Sequence, residues 1–198
     1  MNWMLSEKTC CSIETYISDL MKIYKIKQDY SVYKFYLQDD KDPLAAEAFL
    51  FNGAELSDKW SPFNISLFKG KTKEEKSLRE DFNSSCFDDG LLYVSKEMAF
   101  SIFGNIEEVE VLPVRTDNDR DFYYVNVMKK LPSIKYLNKD ELKKMFREDR
   151  YQFQKDVIGD CCIFRDEVLC SSYFVTEVFV DKYGRDFQGV LFKEVGDV

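Results

Sequence analysis

The amino-acid sequence predicts an α+β fold that is rich in strands, with mixed or antiparallel sheets and a few short helices. First, short runs of aromatic and β-branched residues recur along the chain, and such runs are typical of strands. Second, helical periodicity is confined to brief stretches between these runs. Third, the chain has 198 residues, of which 45% are hydrophobic and 16% aromatic, so it can bury a sizeable core without a metal or a disulfide.

The start of the chain is predicted to form an N-terminal lobe (residues 1–55) that packs on a larger α+β domain (residues 56–198). Ser12 fits an N-cap, and the apolar residues that follow it at helical spacing, as far as Tyr24, predict a short amphipathic helix. Aromatic and β-branched residues over positions 30–37 then predict a strand.

Local patterns predict further elements in the larger domain. Residues 122–128 are aromatic and β-branched, which favours a strand. Asn138 is expected to cap a helix, because Glu141 stands at the third helical position, as in a capping box. Alternation over residues 151–156 and a short apolar run over 161–164 predict two more strands.

Two segments of the second half share one pattern. Each has a short strand, a Ser or Thr that can cap a helix, about two helical turns closed by Gly, and a return strand. A duplicated strand–helix–strand unit explains the similarity, and so does chance recurrence of a common pattern. The landmarks are Leu92, Ser95 and Gly104 in the first segment and Tyr173, Thr176 and Gly184 in the second.

The absence of histidine excludes several kinds of enzyme. With no imidazole in the sequence, there is no Ser-His-Asp or Cys-His pair and no His-Glu-x-x-His zinc helix. Catalysis by carboxylates, Tyr, Lys or Cys would require strongly shifted pKa values. We therefore expect that the protein is not an enzyme and that it has no catalytic residues.

The charge of the chain favours a cationic partner. Asp and Glu number 36 against 28 Lys and Arg, which gives a formal net charge of −8 and disfavours nucleic-acid binding. Clustered carboxylates on loops could hold a basic partner surface, although such clusters are more often simply solvated. The candidate partner-binding residues are Asp39, Asp40, Asp42, Asp88, Asp89, Asp117, Asp119 and Asp121.

The motifs for metals and cofactors are incomplete, and we predict neither. The alternating carboxylates that begin at Asp117 resemble a calcium loop, but Phe122 stands where glycine is needed. The chain has six cysteines without Cys-x-x-Cys spacing, and Cys161 and Cys162 are expected to face opposite sides of a strand as core residues. The first 20 residues do not resemble a signal peptide, and no apolar run could cross a bilayer, so we expect a cytoplasmic protein that does not bind membranes.

A series of short segments resembles a family of bacterial immunity proteins from polymorphic-toxin loci, first catalogued as a domain of unknown function. The similarity extends over about residues 55–195. The segments are Val111-Leu112-Pro113-Val114, Tyr123-Tyr124-Val125-Asn126-Val127, Gly159-Asp160, Ile163-Phe164-Arg165, Phe174-Val175-Thr176 and Gly189-Val190-Leu191-Phe192-Lys193-Glu194-Val195, preceded by Trp60-Ser61-Pro62, Asp81, Val94-Ser95, Met98 and Phe103.

The resemblance implies a small cytoplasmic antidote that binds a cognate toxin domain and blocks it by occlusion. It implies no catalytic residues and no cofactor. Two other hypotheses remain open: a regulatory module whose aromatic strands line a pocket for a small ligand, and an enzyme whose carboxylates come together only on folding. The sequence predicts neither the identity of the toxin nor the oligomeric state.

Overall fold

The computed structural model describes residues 21–38, 45–46, 48–87 and 90–198. Within these residues the chain forms twelve strands, paired into two mixed sheets, and five α-helices, which confirms the strand-rich α+β prediction. The strands are β1 (Lys22–Gln28), β2 (Tyr36–Gln38), β3 (Asn64–Leu67), β4 (Ser84–Cys86), β5 (Leu92–Ser95), β6 (Val109–Thr116), β7 (Phe122–Val127), β8 (Lys130–Leu131), β9 (Tyr151–Gln152), β10 (Ile163–Asp166), β11 (Phe174–Thr176) and β12 (Val190–Asp197). The helices are α1 (Lys73–Lys76), α2 (Lys96–Ser101), α3 (Lys139–Glu148), α4 (Lys155–Ile158) and α5 (Glu177–Tyr183).

Five strands of each sheet have the same arrangement. The first sheet has the order β2-β3-β6-β7-β5-β4, and the second has the order β8-β10-β11-β1-β12-β9. In the first, β7 lies between β5 and β6 and is antiparallel to both. In the second, β1 lies between β11 and β12 and is likewise antiparallel to both. The outer neighbours also correspond, because β4 and β10 add antiparallel strands while β3 and β9 add parallel ones.

The strand–helix–strand pattern predicted from the sequence is present in both sheets. In the first unit, β5 leads into α2, a 3-10 turn at Phe103–Asn105, and β6. In the second, β11 leads into α5, a 3-10 turn at Gly184–Asp186, and β12. The two sheets differ in where their central strand lies in the sequence. In the first sheet β7 follows β6 directly, whereas in the second sheet β1 precedes β11 and β12 by far in the chain.

The apolar residues form a central core and two outer cores. On β7, Phe122 and Tyr124 face one outer core, while Val125 and Val127 face the central core, as the alternation of side chains along a strand requires. The central core joins residues of both sheets with α2 and α5, and the other outer core joins the second sheet with α3 and α4. Full burial of a side chain such as Phe122 contributes about 2 kcal/mol to stability.

Polar bridges connect the two sheets where they meet. The side chain of Gln28 on β1 donates to the carbonyl of Gly189 at 2.7 Å and accepts from the backbone N–H of Cys86 at 2.9 Å. The Tyr173 hydroxyl donates to the carbonyl of Val125 at 2.9 Å and accepts from the N–H of Leu92 at 3.0 Å. These bonds satisfy backbone groups that would otherwise be buried without partners.

Three predicted elements differ from the structure. The predicted N-terminal helix begins outside the described residues, and its end is wrong, because Tyr24 lies within strand β1. In the predicted strand at 30–37, only Tyr36 and Leu37 are in a strand; Ser31 instead donates its backbone N–H and hydroxyl to Asp29, which holds a turn. The alternating segment 151–156 forms only the short β9 before helix α4 begins at Lys155.

Candidate functional site

The predicted partner-binding carboxylates fall into two groups. Asp39, Asp40, Asp42, Asp88 and Asp89 lie outside the described residues. Asp117, Asp119 and Asp121 are exposed on the turn between β6 and β7 at one end of the first sheet.

Hydrogen bonds hold the β6–β7 turn in one conformation. One carboxylate oxygen of Asp117 accepts from the backbone N–H of Leu67 at 2.9 Å, and the side-chain oxygen of Asn118 accepts from the Tyr36 hydroxyl at 2.9 Å. The hydroxyl of Thr116 donates to the carbonyl of Arg120 at 2.8 Å. The turn is therefore fastened to β2 and to the end of β3, so the positions of its side chains are preorganised.

Neighbouring cations reduce the negative charge of this turn. The Lys96 ammonium lies 3.9 Å from a carboxylate oxygen of Asp121. The guanidinium of Arg120 packs over the rings of Phe82 and Phe122, at 5.0 and 4.9 Å from their centroids. Among the described residues, Asp119 at the tip has no hydrogen bond or ion pair, so it is the carboxylate of the turn most available to a partner.

A groove of about 600 Å³ lies on another part of the surface. Four segments line it: the turn that follows α2, the β7–β8 segment at Lys129 and Leu131, the end of α4 with its connection into β10, and helix α5. The lining residues are Asn105, Ile106, Glu107, Glu108, Lys129, Leu131, Val157, Ile158, Asp160, Cys161, Cys162, Ile163, Val178, Phe179, Lys182 and Tyr183.

The groove has an apolar floor and a charged rim. Phe179 and Ile163 are buried at its base, whereas Val178 is 65% exposed on helix α5. On the rim, Glu108 forms an ion pair with Lys129 at 3.0 Å. The volume lies within the range of small-ligand pockets, about 300–1,000 Å³, and the mixture of apolar and polar groups is typical of binding sites.

The two adjacent cysteines in the groove are uncharged thiols that pack on different cores. Cys162 packs against the central core and Cys161 against the outer core of the second sheet, but both are half-buried and precede β10, so the prediction that they lie within a strand is wrong. Burial raises the pKa of Cys161 to about 11, although its sulfur contacts the Ile163 carbonyl at 3.0 Å, and burial also raises the pKa of Cys162. In the part of the chain that the structure describes, no group of three Cys, Asp or Glu side chains could hold a metal ion.

Arg165 is a buried cation, and its burial was not predicted from the sequence. Its guanidinium lies between the rings of Tyr173 and Phe51, at 3.9 and 4.6 Å from their centroids. One terminal nitrogen donates to the carbonyls of Cys170 and Ser171, both at 2.8 Å, while the other terminal nitrogen and Nε have no hydrogen-bond partner. The guanidinium thus links the segment that carries Phe51 to the second sheet.

The part of the chain that the structure describes contains no helix of the length and apolar character needed to span a bilayer. Comparison of the chain with protein-family models finds no match, and comparison with curated proteins finds none either.

Proposed function

We propose that the protein is a cytoplasmic immunity protein that binds a cognate bacterial toxin domain and blocks it by occlusion. The proposal rests on the ordered series of segments that resembles an immunity-protein family. Those segments fall largely on β6, β7, β10, β11 and β12, which are paired strands of both sheets. This placement supports a scaffold role for them and leaves the loops and grooves of the surface for contact with the partner.

The charge of the protein supports a basic partner surface. A net charge of −8 accelerates association with a cationic protein, and the effect is strongest at low ionic strength. Asp119 is the candidate contact that we favour among the described carboxylates, because it is exposed and unpaired at the tip of a turn held in place by hydrogen bonds. Occlusion of this kind requires no cofactor, no nucleic acid and no membrane.

Co-expression with the toxin tests this proposal. The C-terminal domain encoded by the neighbouring toxin gene is expressed in a naive host with this protein, with an empty vector, or with an unrelated acidic protein of similar charge. We expect survivors to be restored only by this protein, and we expect the two proteins to co-purify as a stable complex. Unchanged killing while the protein accumulates in soluble form would reject the immunity function.

The groove favours a second candidate, a module that binds a small ligand without catalysis. Its volume of about 600 Å³ and its apolar floor are the observations behind this alternative. A thermal-shift screen with small molecules distinguishes the two functions. A compound that raises the melting temperature of the wild type but not of Val178→Lys, together with no rescue from the toxin, would favour the ligand-binding module.

A further inference from the structure

The groove lies where the two strand–helix–strand units approach one another. Residues 105–108 on one border begin at the last residue of the 3-10 turn of the first unit, and helix α5 on another border belongs to the second. The other two borders are the end of α4 with its connection to β10, which includes Val157 and Asp160, and the β7–β8 segment that carries Lys129 and Leu131. Because elements distant in sequence form these borders, the shape of the groove depends on the complete fold.

Exposed apolar surface in the groove favours an apolar side chain from a partner. Val178 is 65% exposed although it stands directly beside the fully buried Phe179. Ile106, Leu131 and Val157 are only half-buried and extend the same floor. An apolar anchor that fills a concave site is the usual centre of a protein–protein contact.

The charges of the rim favour a cation beside that anchor. Glu107 and Asp160 are exposed on different borders, and neither forms a hydrogen bond or ion pair with the described residues. The Glu108 carboxylate is already paired with Lys129, and the Lys182 ammonium lies 4.8 Å from the centroid of the Tyr183 ring. The rim therefore presents two carboxylates without a hydrogen bond or ion pair, although Glu107 also interacts electrostatically with Lys129, and this agrees with the negative charge of the whole chain.

We infer that this groove receives a segment of the toxin that carries an aliphatic or aromatic side chain next to a lysine or arginine. The apolar side chain packs on Val178 and the floor, and the cation lies between Glu107 and Asp160. The inference rests on the proposed function for the class of partner. It adds a binding surface that is separate from the carboxylates of the β6–β7 turn.

Two groove variants and two matched controls test the inference. Val178→Lys replaces the exposed apolar side chain on the α5 border with a charge, and the double variant Glu107→Lys/Asp160→Lys reverses the charge of the two rim carboxylates. The controls make the same changes outside the groove: Leu137→Lys, at a residue that is 85% exposed, and Glu55→Lys/Asp58→Lys on an exposed turn. Circular dichroism and thermal melting first establish that all four proteins keep the wild-type fold.

Binding of each protein to the purified, catalytically inactivated toxin domain is then measured by calorimetry. We expect Kd to rise at least tenfold for both groove variants and less than threefold for both controls. Wild-type affinity for Val178→Lys would overturn the groove assignment while leaving the immunity function intact. Failure of the wild type to bind the toxin would overturn the proposed function itself and, with it, the partner assigned to the groove.

Discussion

At the scale of single residues, Asp149 is the carboxylate that pairs with the most cations among the described residues. It ends helix α3 in the left-handed conformation, with φ 48° and ψ 42°. Its carboxylate accepts hydrogen bonds from Lys193 at 2.7 Å, Lys25 at 2.8 Å and the Tyr151 hydroxyl at 3.0 Å, and Lys27 lies 3.4 Å away. Burial acts to raise the pKa of this carboxyl, but the bonds and charges of Lys193, Lys25 and Lys27 outweigh it and hold the pKa well below its usual range.

The variant Asp149→Asn isolates the role of this charge. Asn also adopts the left-handed conformation, so the backbone is kept while Lys25, whose side chain is only 5% exposed, loses its counter-ion. We expect a loss of about 2–3 kcal/mol in the free energy of unfolding at pH 7, measured with urea. The control Asp140→Asn changes a 93% exposed carboxylate and should cost less than about 1 kcal/mol.

The stability difference between wild type and Asp149→Asn should depend on pH in a defined direction. Because folding lowers the pKa of Asp149, its stabilisation is complete above the unfolded pKa of about 4 and is lost as pH falls towards the folded pKa. The difference in unfolding free energy should therefore narrow below about pH 4. A constant difference between pH 6 and pH 3 would show that the carboxylate charge is not what stabilises the fold.

At the scale of elements, the turn before β12 determines how closely the two sheets approach. Gly189 has φ 116°, and a Cβ added there would lie 2.0 Å from the carbonyl oxygen of Ser84 on β4. The carbonyl of Gly189 also accepts from the backbone N–H of Asp29 at 2.9 Å. Glycine is required here for two reasons, the positive φ and the close approach of another strand.

Gly189→Ala should therefore destabilise the protein strongly. We expect a loss of about 3 kcal/mol in the free energy of unfolding, because the new methyl group must push β4 away and the backbone is strained. The matched substitution Gly104→Ala meets its nearest atom at 3.5 Å without a positive φ and should change stability by less than about 0.5 kcal/mol. Equal melting temperatures for the two variants would contradict this account of the sheet junction.

Elements encoded by local patterns were predicted well, and those decided by distant contacts were not. The strand–helix–strand units and the helix capped by Asn138 follow from side chains close in sequence, and the cap indeed accepts from the N–H groups of Asp140 and Glu141. Strand β1 was missed because its partners lie near residues 174–197 and the spacing of its apolar residues also fits a helix. The Lys25–Asp149 bond joins residues 124 positions apart, and the groove combines four separate segments, so neither leaves a local signal.

At the scale of the whole molecule, the position of β1 brings the ends of the described chain together. Lys22 is paired with Asp197, and the backbone N–H of Val198 donates to the carbonyl of Met21 at 3.2 Å. The corresponding strands in the first sheet, β6 and β7, are joined directly by a short turn. The second sheet therefore has the connectivity of the first, except that β12 and β1, the counterparts of β6 and β7, are not joined by a turn and lie at opposite ends of the described chain.

This arrangement predicts that a circular permutant will fold. In the permutant, Val198 is joined to Met1 so that residues 1–20 become the connection, and new ends are opened between Lys69 and Gly70 in the exposed turn after β3. We expect a circular dichroism spectrum and a cooperative melting transition close to those of the wild type. A permutant opened within β7 serves as the control and should not fold, since it interrupts a buried central strand.

The distance in sequence between β1 and its partner strands also determines the order in which the two sheets can form during protein synthesis. The ribosome completes β1 long before it makes β11 and β12, whereas β5, β6 and β7 emerge close together. The first sheet can therefore form while translation continues, but the second cannot close until both late strands have left the exit tunnel. During that interval the nascent chain exposes the unpaired backbone of β1 together with Ile23 and Ile26, which are buried in the complete fold, and both features favour association with other chains.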